Sequence, residues 1–325
     1  MKPSDISKAL RTLILANRPA FLWGAPGVGK SNIIAQVARA LGRKLIDIRA
    51  VLLDPVDLRG LPHVNGDGRA HWATPEFLPR DGDGVLFLDE LNAAPPLVQA
   101  ACYQLVLDRK LGEYALPDGW AVAAAGNRET DRAVTSRMPS PLANRFIHLD
   151  FEVDLDGWCL WALQAGIATE VVAFLRFRPD LLHAFDPDRK AFPSPRSWHF
   201  ASDILGVRPD AAVEYDLLAG AVGEGAAAEL VGFLKVFRQL PSPDAVLLAP
   251  DTAPVPDEPA TVYALCGALA RKASPANFDR VTAYARRLPA EFGVLLVKDA
   301  IARAPDCQHT QGFVAWASEH GSVLT

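Results

Sequence analysis

Apolar residues gather in short runs, apolar nearly throughout, in the first 150 positions, at residues 20–23, 45–49, 85–88, 121–125 and 146–151. A strand with one solvated face alternates apolar and polar side chains, whereas a strand covered on both faces reads apolar nearly throughout. The runs therefore predict a parallel sheet with helices on either side. Between them, 30–41 and 97–107 carry apolar residues at helical spacing. Residues 109–120 read as a hairpin, with Pro117-Asp118-Gly119 at its turn.

After Asp154 the strand signal fades. Helical spacing marks 158–164, 170–177, 197–205, 211–221 and 226–239. Residues 241–259 are rich in proline and acidic side chains and read as an extended surface connector. A last helical stretch runs from 260 to about 318. The expected organisation is an α/β domain at 1–152, a helical domain at 153–240, the connector at 241–259 and a C-terminal helical extension at 260–325.

Composition narrows the picture. Of 325 residues, 50% are apolar and 22% charged, ordinary for a globular protein. No stretch approaches the ~20 apolar residues needed to cross a bilayer, and Met1-Lys2-Pro3-Ser4-Asp5 lacks the apolar core of a signal peptide, so the cytoplasm is expected. Cys102, Cys159, Cys266 and Cys307 lie far apart and read as small buried residues rather than metal ligands or disulfides. A net charge of -5 gives no general attraction to a phosphate backbone, so neither nucleic acid nor membrane is an expected partner.

The candidate chemistry begins at Gly24-Ala25-Pro26-Gly27-Val28-Gly29-Lys30-Ser31, between the first predicted strand and the first predicted helix. Glycines let successive backbone N–H groups curl toward phosphate oxygens, and the helix N-terminus adds partial positive charge. Lys30 is placed to reach the β and γ phosphates of ATP, and the Ser31 hydroxyl to ligate Mg2+. At 85–90 four apolar residues precede Asp89 and Glu90. The strand carries Asp89 to the sheet edge beside that loop, where it can hold the Mg2+ shell, and leaves Glu90 to polarise water as a general base. Asn127 ends the fourth predicted strand; its amide can hold the attacking water or a γ-phosphate oxygen, or it is a turn residue after Gly126.

In order and spacing, Gly24 to Ser31, Asp89-Glu90-Leu91-Asn92, Asn127, Pro141-Leu142-Ala143-Asn144-Arg145-Phe146 and Pro193-Ser194-Pro195-Arg196 resemble the MoxR family of AAA+ ATPases from about residue 18 to 205. The resemblance implies a P-loop AAA+ αβα sandwich followed by a helical lid. It makes Asn127 sensor 1, Arg145 an arginine finger serving a neighbouring subunit's ATP, and Arg196 sensor 2 in the lid. It further implies a hexameric ring, a helix-2 insertion within 54–80, the hairpin before sensor 1 at 109–120, and a client protein bearing a von Willebrand factor A domain. Asn144 stands where the family often has an acid, and Arg128, Arg132 and Arg137 compete for the finger's place.

The alternative reading is a DNA-directed AAA+ ATPase, such as a helicase loader or restriction-type translocase. The 54–80 segment has no basic loop to support it. A small-molecule P-loop kinase would close its site within one subunit, which the Asn127, Arg145 and Arg196 series argues against. His63 and His71 flank Gly66-Asp67-Gly68 and read as a hairpin tip rather than a metal site. Trp72 and Phe77 are candidates for core packing or for contact with a client. Arg271, Lys272, Arg280, Arg286 and Arg287 read as a solvated helix face.

Overall fold

A computed structural model describes all residues except 65, 67, 129, 130, 132–137, 241 and 321–325. The chain divides into two compact units, Met1–Val153 and Asp154–Thr325.

In the first unit the helices are α1 (Pro3–Leu15), α2 (Lys30–Ala40), α3 (Pro55–Arg59), α4 (Pro96–Asp108) and α5 (Ser140–Ala143). The strands are β1 (Ala20–Trp23), β2 (Lys44–Arg49), β3 (Leu61–Val64), β4 (Ala70–Ala73), β5 (Gly84–Asp89), β6 (Lys110–Leu111), β7 (Tyr114–Ala115), β8 (Trp120–Gly126) and β9 (Ile147–Asp150). Five of them form a parallel sheet in the order β2-β5-β8-β1-β9.

The unbroken apolar runs of the central strands have the cause the sequence suggests. Along β5, Val85 and Phe87 pack with Ile6, Leu10, Ile33 and Ile34 of α1 and α2, while Leu86 and Leu88 pack with Val98, Cys102 and Leu105 of α4. Every residue of β5 before Asp89, and every residue of β8, is buried. The outer strands β2 and β9 are largely exposed, because each has a neighbour on one side alone. β1 lies between β8 and β9, so the loop that follows it emerges next to the C-terminal end of β8.

Three local features differ from expectation. No element is expected before Ala20, yet α1 buries Ile6, Leu10 and Ile14, a stripe repeating every four residues. The 109–120 hairpin is present, but it turns at Gly112-Glu113, where Gly112 has φ +58, between the paired Leu111 and Tyr114. Pro117-Asp118-Gly119 instead turns the chain into β8, with the Trp120 N–H donating to Pro117 O at 3.0 Å. Third, the connector at 241–259 contains a helix, since Val246 and Leu247 bury themselves in the apolar cluster around Leu265 and Phe278.

The second unit is helical: α6 (Leu155–Ala165), α7 (Thr169–Phe177), α8 (Pro195–Gly206), α9 (Ala211–Val222), α10 (Glu224–Arg238), α11 (Pro243–Leu248), α12 (Pro259–Lys272), α13 (Phe278–Ala285), α14 (Ala290–Arg303) and α15 (Gln311–His320). α12 approaches α7 closely enough that a Cβ at Gly267 would lie 2.9 Å from Thr169. All four cysteines are buried thiols. Burial pushes Cys102 and Cys266 up to about 12, so neither is a reactive thiolate. Three members of the basic run serve the fold: Lys272 pairs with Asp244 at 3.0 Å, Arg286 with Glu319, and Arg287 donates to the carbonyls of Pro250 and Ala253.

Deep in this unit Arg176 of α7 grips Asp299 of α14 through both guanidinium nitrogens, Nη2 donating to Oδ1 at 2.6 Å. The side chains are 13% and 4% exposed, so water cannot replace either partner. The carboxylate beside it outweighs desolvation and holds Arg176 firmly protonated. Asp299→Asn, which leaves the buried cation uncompensated, is expected to cost about 3 kcal/mol of stability. Denaturant midpoints at unchanged slope measure it; a cost within ~0.5 kcal/mol would remove the pair from this role.

Candidate functional site

The loop between β1 and α2 curls tightly because Gly27 and Gly29 take φ +78 and +103, the latter a left-handed residue directly before α2. An L side chain at Gly29 would be strained whatever space it had. The curl brings the carbonyls of Gly24 and Ala25 back onto Lys30. Lys30, 9% exposed as a residue, donates through its ammonium to Gly24 O at 2.7 Å, to Ala25 O at 3.1 Å and to Asn127 Oδ1 at 2.8 Å. An ammonium only donates, so the Asn127 atom facing it must be the amide oxygen.

Ser31, one residue further into α2, donates its hydroxyl to Asp89 Oδ2 at 2.8 Å. Asp89 ends β5 with its other oxygen, Oδ1, accepting from the Glu90 N–H at 3.0 Å. Two hard oxygen donors so close together fit Mg2+, which prefers carboxylate and hydroxyl oxygen alongside phosphate. The Glu90 side chain stays exposed, because its left-handed backbone, φ +55, turns the chain sharply out of the strand. Asp47, on the neighbouring strand β2, was not singled out in the sequence. Desolvation first, and then the charge of Asp89, hold its carboxyl above the usual range. Its acid lies in β2 away from any contiguous motif, so no spacing signals it.

Two further contacts tie the C-terminal end of β8 to this cluster. Gly24 N–H donates to Gly126 O at 3.3 Å, and Asn92 Nδ2 donates to Asn127 O at 2.8 Å. Asn92 is 1% exposed. A carbonyl only accepts, so this bond fixes the amide's orientation and turns Oδ1 onto Gly126, where it finds no hydrogen-bond partner among the described residues. A Cβ on Gly126 would stand 2.0 Å from that oxygen, so glycine is required there. The structure thus brings two hydrogen-bonded sets, Lys30–Asn127–Asn92 and Ser31–Asp89, together through the adjacent residues Lys30 and Ser31 at the C-terminal ends of β1, β5 and β8, with Glu90 next to Asp89.

Arg145 stands apart. It follows α5 and precedes β9, whose Ile147 is in register with Ala20 at the start of β1. It is therefore at the opposite edge of the sheet from the glycine loop, about 13 Å of strand away, and its side chain is exposed. Asp150, which could have claimed it, lies 3.6 Å from Arg128 instead. Arg128 also donates to Phe151 O at 2.9 Å, so it is committed to the fold. Arg132 and Arg137 lie outside the described residues. Arg196 belongs to the second unit, exposed in the first turn of α8, which a Ser194–Ser197 capping box opens. In the 54–80 segment β3 and β4 form an antiparallel ribbon, with His63 opposite His71 and Trp72 and Phe77 38% and 36% exposed, so neither aromatic is a core residue.

Comparison with known proteins fits this geometry. The AAA domain of the dynein-related subfamily matches residues 19–146. The MoxR protein of Paracoccus denitrificans is 29% identical over 157 residues, 46% of this chain and 45% of that protein. That of Methylorubrum extorquens is 31% identical over 149 residues, 43% of each. Midasin of Giardia intestinalis is 31% identical over 185 residues, 52% of this chain and 4% of midasin. The match thus spans under half the length of the MoxR relatives. Solved structures of NtrX from Brucella abortus with ADP (TM-score 0.44, 14% identity, 98% of this chain and 65% of that one) and RuvB of Thermotoga maritima (TM-score 0.41, 15% identity, 82% and 80%) are distant likenesses. The resemblance to MoxR AAA+ ATPases holds, as does the expected fold, a parallel α/β sandwich followed by a helical C-terminal region.

Lys30→Ala removes charge-assisted bonds worth about 1.5–3 kcal/mol, so binding of a fluorescent ATP analogue is expected to weaken roughly 10- to 150-fold. An unchanged titration would exclude Lys30 as a phosphate contact.

Proposed function

We propose that this chain, an AAA+ ATPase similar to the MoxR proteins, hydrolyses Mg-ATP at the interfaces of a ring and uses the resulting motion to remodel or activate a client protein. The observation that carries the reading is that adjacent residues of one loop and helix bond to two strand ends, Lys30 to Asn127 and Ser31 to Asp89, beside the exposed Glu90. In that reading, loop amides and Lys30 bind and orient the phosphates. Ser31 and Asp89 hold Mg2+, which when bound neutralises charge on the β and γ phosphates. Glu90 takes the proton of the attacking water, and its exposed position leaves the carboxylate free to do so. Asn127 fixes the water or a γ-phosphate oxygen without adding charge.

The interface follows from Arg145. At the far edge of the sheet it cannot serve its own loop, and with no partner in the described chain it is available to a neighbour's γ-phosphate. Arg196, exposed at the start of α8, is the proposed sensor of nucleotide in the helical unit. A hexameric ring and a client with a von Willebrand factor A domain come from the MoxR resemblance. The β3–β4 ribbon, with its exposed Leu61, Val64 and Trp72, is a surface for that client. No helix among the described residues is long and apolar enough to cross a membrane.

Glu90→Gln is expected to keep ATP binding and assembly while turnover falls at least ~100-fold, the loss associated with a positioned base. Phosphate release at saturating ATP checks it, and near-normal turnover would free Glu90 from the role. The arginine is tested by mixing. Arg145→Ala and Lys30→Ala subunits should each be nearly inactive, since a finger is worth about 10³-fold or more. Mixed, they should regain turnover where an Arg145→Ala loop meets a Lys30→Ala neighbour's arginine. Co-assembly verified by sizing, with no activity above the sum of the parts, would count against Arg145 in trans.

A further inference from the structure

We propose that Asn92 is a positioning residue for hydrolysis: by holding the main chain of Asn127 it sets where the Asn127 amide points. This rests on the reading of Asn127 as a contact to the attacking water or the γ-phosphate.

Asn92 lies two residues beyond Glu90, in a short 3-10 turn with both ends fixed. Before it, the Glu90 N–H is tied to Asp89; after it, the Gln99 side chain donates to Ala94 O at 2.9 Å. The turn is thus a firm base for the Nδ2–H···O=C bond to Asn127. On its other side the Gly126–Asn127 segment is pinned by the Gly24 N–H. Asn127 therefore carries three ties: the loop through its preceding residue, the acidic segment through its carbonyl, and Lys30 through its side chain.

Packing alone does not call for an amide here. Leu91, beside it, already fills the apolar cluster. Among the described residues the buried Asn92 oxygen has no hydrogen-bond partner, a placement that stability by itself disfavours. What the amide adds is a donor aimed at Asn127, and Gly126 supplies the room for its other half. A small displacement of a reacting or orienting group lowers rate far more than affinity. The expected signature is therefore a loss in kcat at nearly constant ATP binding.

The experiment measures kcat, KM, ATP-analogue affinity and melting temperature for full-length Asn92→Ala, Asn92→Asp, Gly126→Ala, Asn127→Ala and the Asn92→Ala/Asn127→Ala double variant. Asn92→Asp keeps the shape and removes the donor; Gly126→Ala disturbs the same contact from the other strand. Both carry the test if Asn92→Ala fails to fold. The proposal expects kcat to fall about 10- to 100-fold in both Asn92 variants and in Gly126→Ala, with KM and affinity within about threefold. In the double variant nothing further should be lost beyond Asn127→Ala, because a positioner has no effect once the positioned amide is gone. Asn92 variants within threefold of the parent, beside an impaired Asn127→Ala, would overturn it. So would losses that multiply in the double variant, since that is a fold effect independent of Asn127. Normal turnover of Asn127→Ala would instead remove the reading beneath it, and the proposal with it.

Discussion

An ammonium group removed from water must find acceptors, and the first unit is arranged so that Lys30 does. Two of the oxygens it reaches belong to its own loop, Gly24 O and Ala25 O, and they face it only because Gly27 and Gly29 adopt positive φ. The third, Asn127 Oδ1, must come from another strand. That bond ties the end of β8 to the loop after β1, in the register that pairs Trp23 with Gly126; at 126 itself it is Asn92 Oδ1 that leaves no room for a side chain. Donors and acceptors that the proposed function assigns to a phosphate are thus tied to the needs of a buried cation.

The same strand geometry separates the two charged ends of the proposed mechanism. Parallel strands send all their C-terminal ends to one edge, so Asp89, Asn127 and the glycine loop converge without any long loop. A residue at the start of β9, such as Arg145, is carried by the same rule to the opposite edge. No side-chain rotation bridges that span. A self-contained site would need its finger on the other edge; the position of Arg145 is compatible with the proposed site shared between subunits.

Much of this was legible in the sequence because the signals are contiguous. The glycine loop, the apolar strand ending in Asp89-Glu90, and the alanine strand ending in Gly126-Asn127 each declare their place by local pattern. The sheet declared itself through apolar runs that are unbroken in its central strands, where covering on both faces leaves no alternation, and interrupted by charged residues in the outer strands β2 and β9. Less was legible where the cause is tertiary. The stripe Ile6, Leu10, Ile14 is narrow among charged neighbours and acquires meaning only against α2 and the sheet. Proline and acid around Val246 and Leu247 suggested an exposed connector, yet two buried apolar side chains suffice to fold it as a helix against α12 and α13. The hairpin turn was misplaced because both Gly112-Glu113 and Pro117-Asp118-Gly119 have turn chemistry, and pairing decides between them. Asn92 lay in a recognised motif, but its partner is 35 positions away.

Asp89 and Asn127 also show why position matters more than residue type in such a site. Both are short polar side chains at the ends of buried strands, and both accept hydrogen bonds from the α2 region: Asp89 from Ser31, Asn127 from Lys30. The charged member pairs with a neutral hydroxyl and the neutral member with the cation. Exchanging them would set a carboxylate against the ammonium and neutralise the charge that the loop holds for phosphate. It would also leave a neutral amide where a divalent ion needs a formal negative charge. In the arrangement present the Lys30 ammonium meets the neutral amide of Asn127 and the Asp89 carboxylate meets the neutral hydroxyl of Ser31.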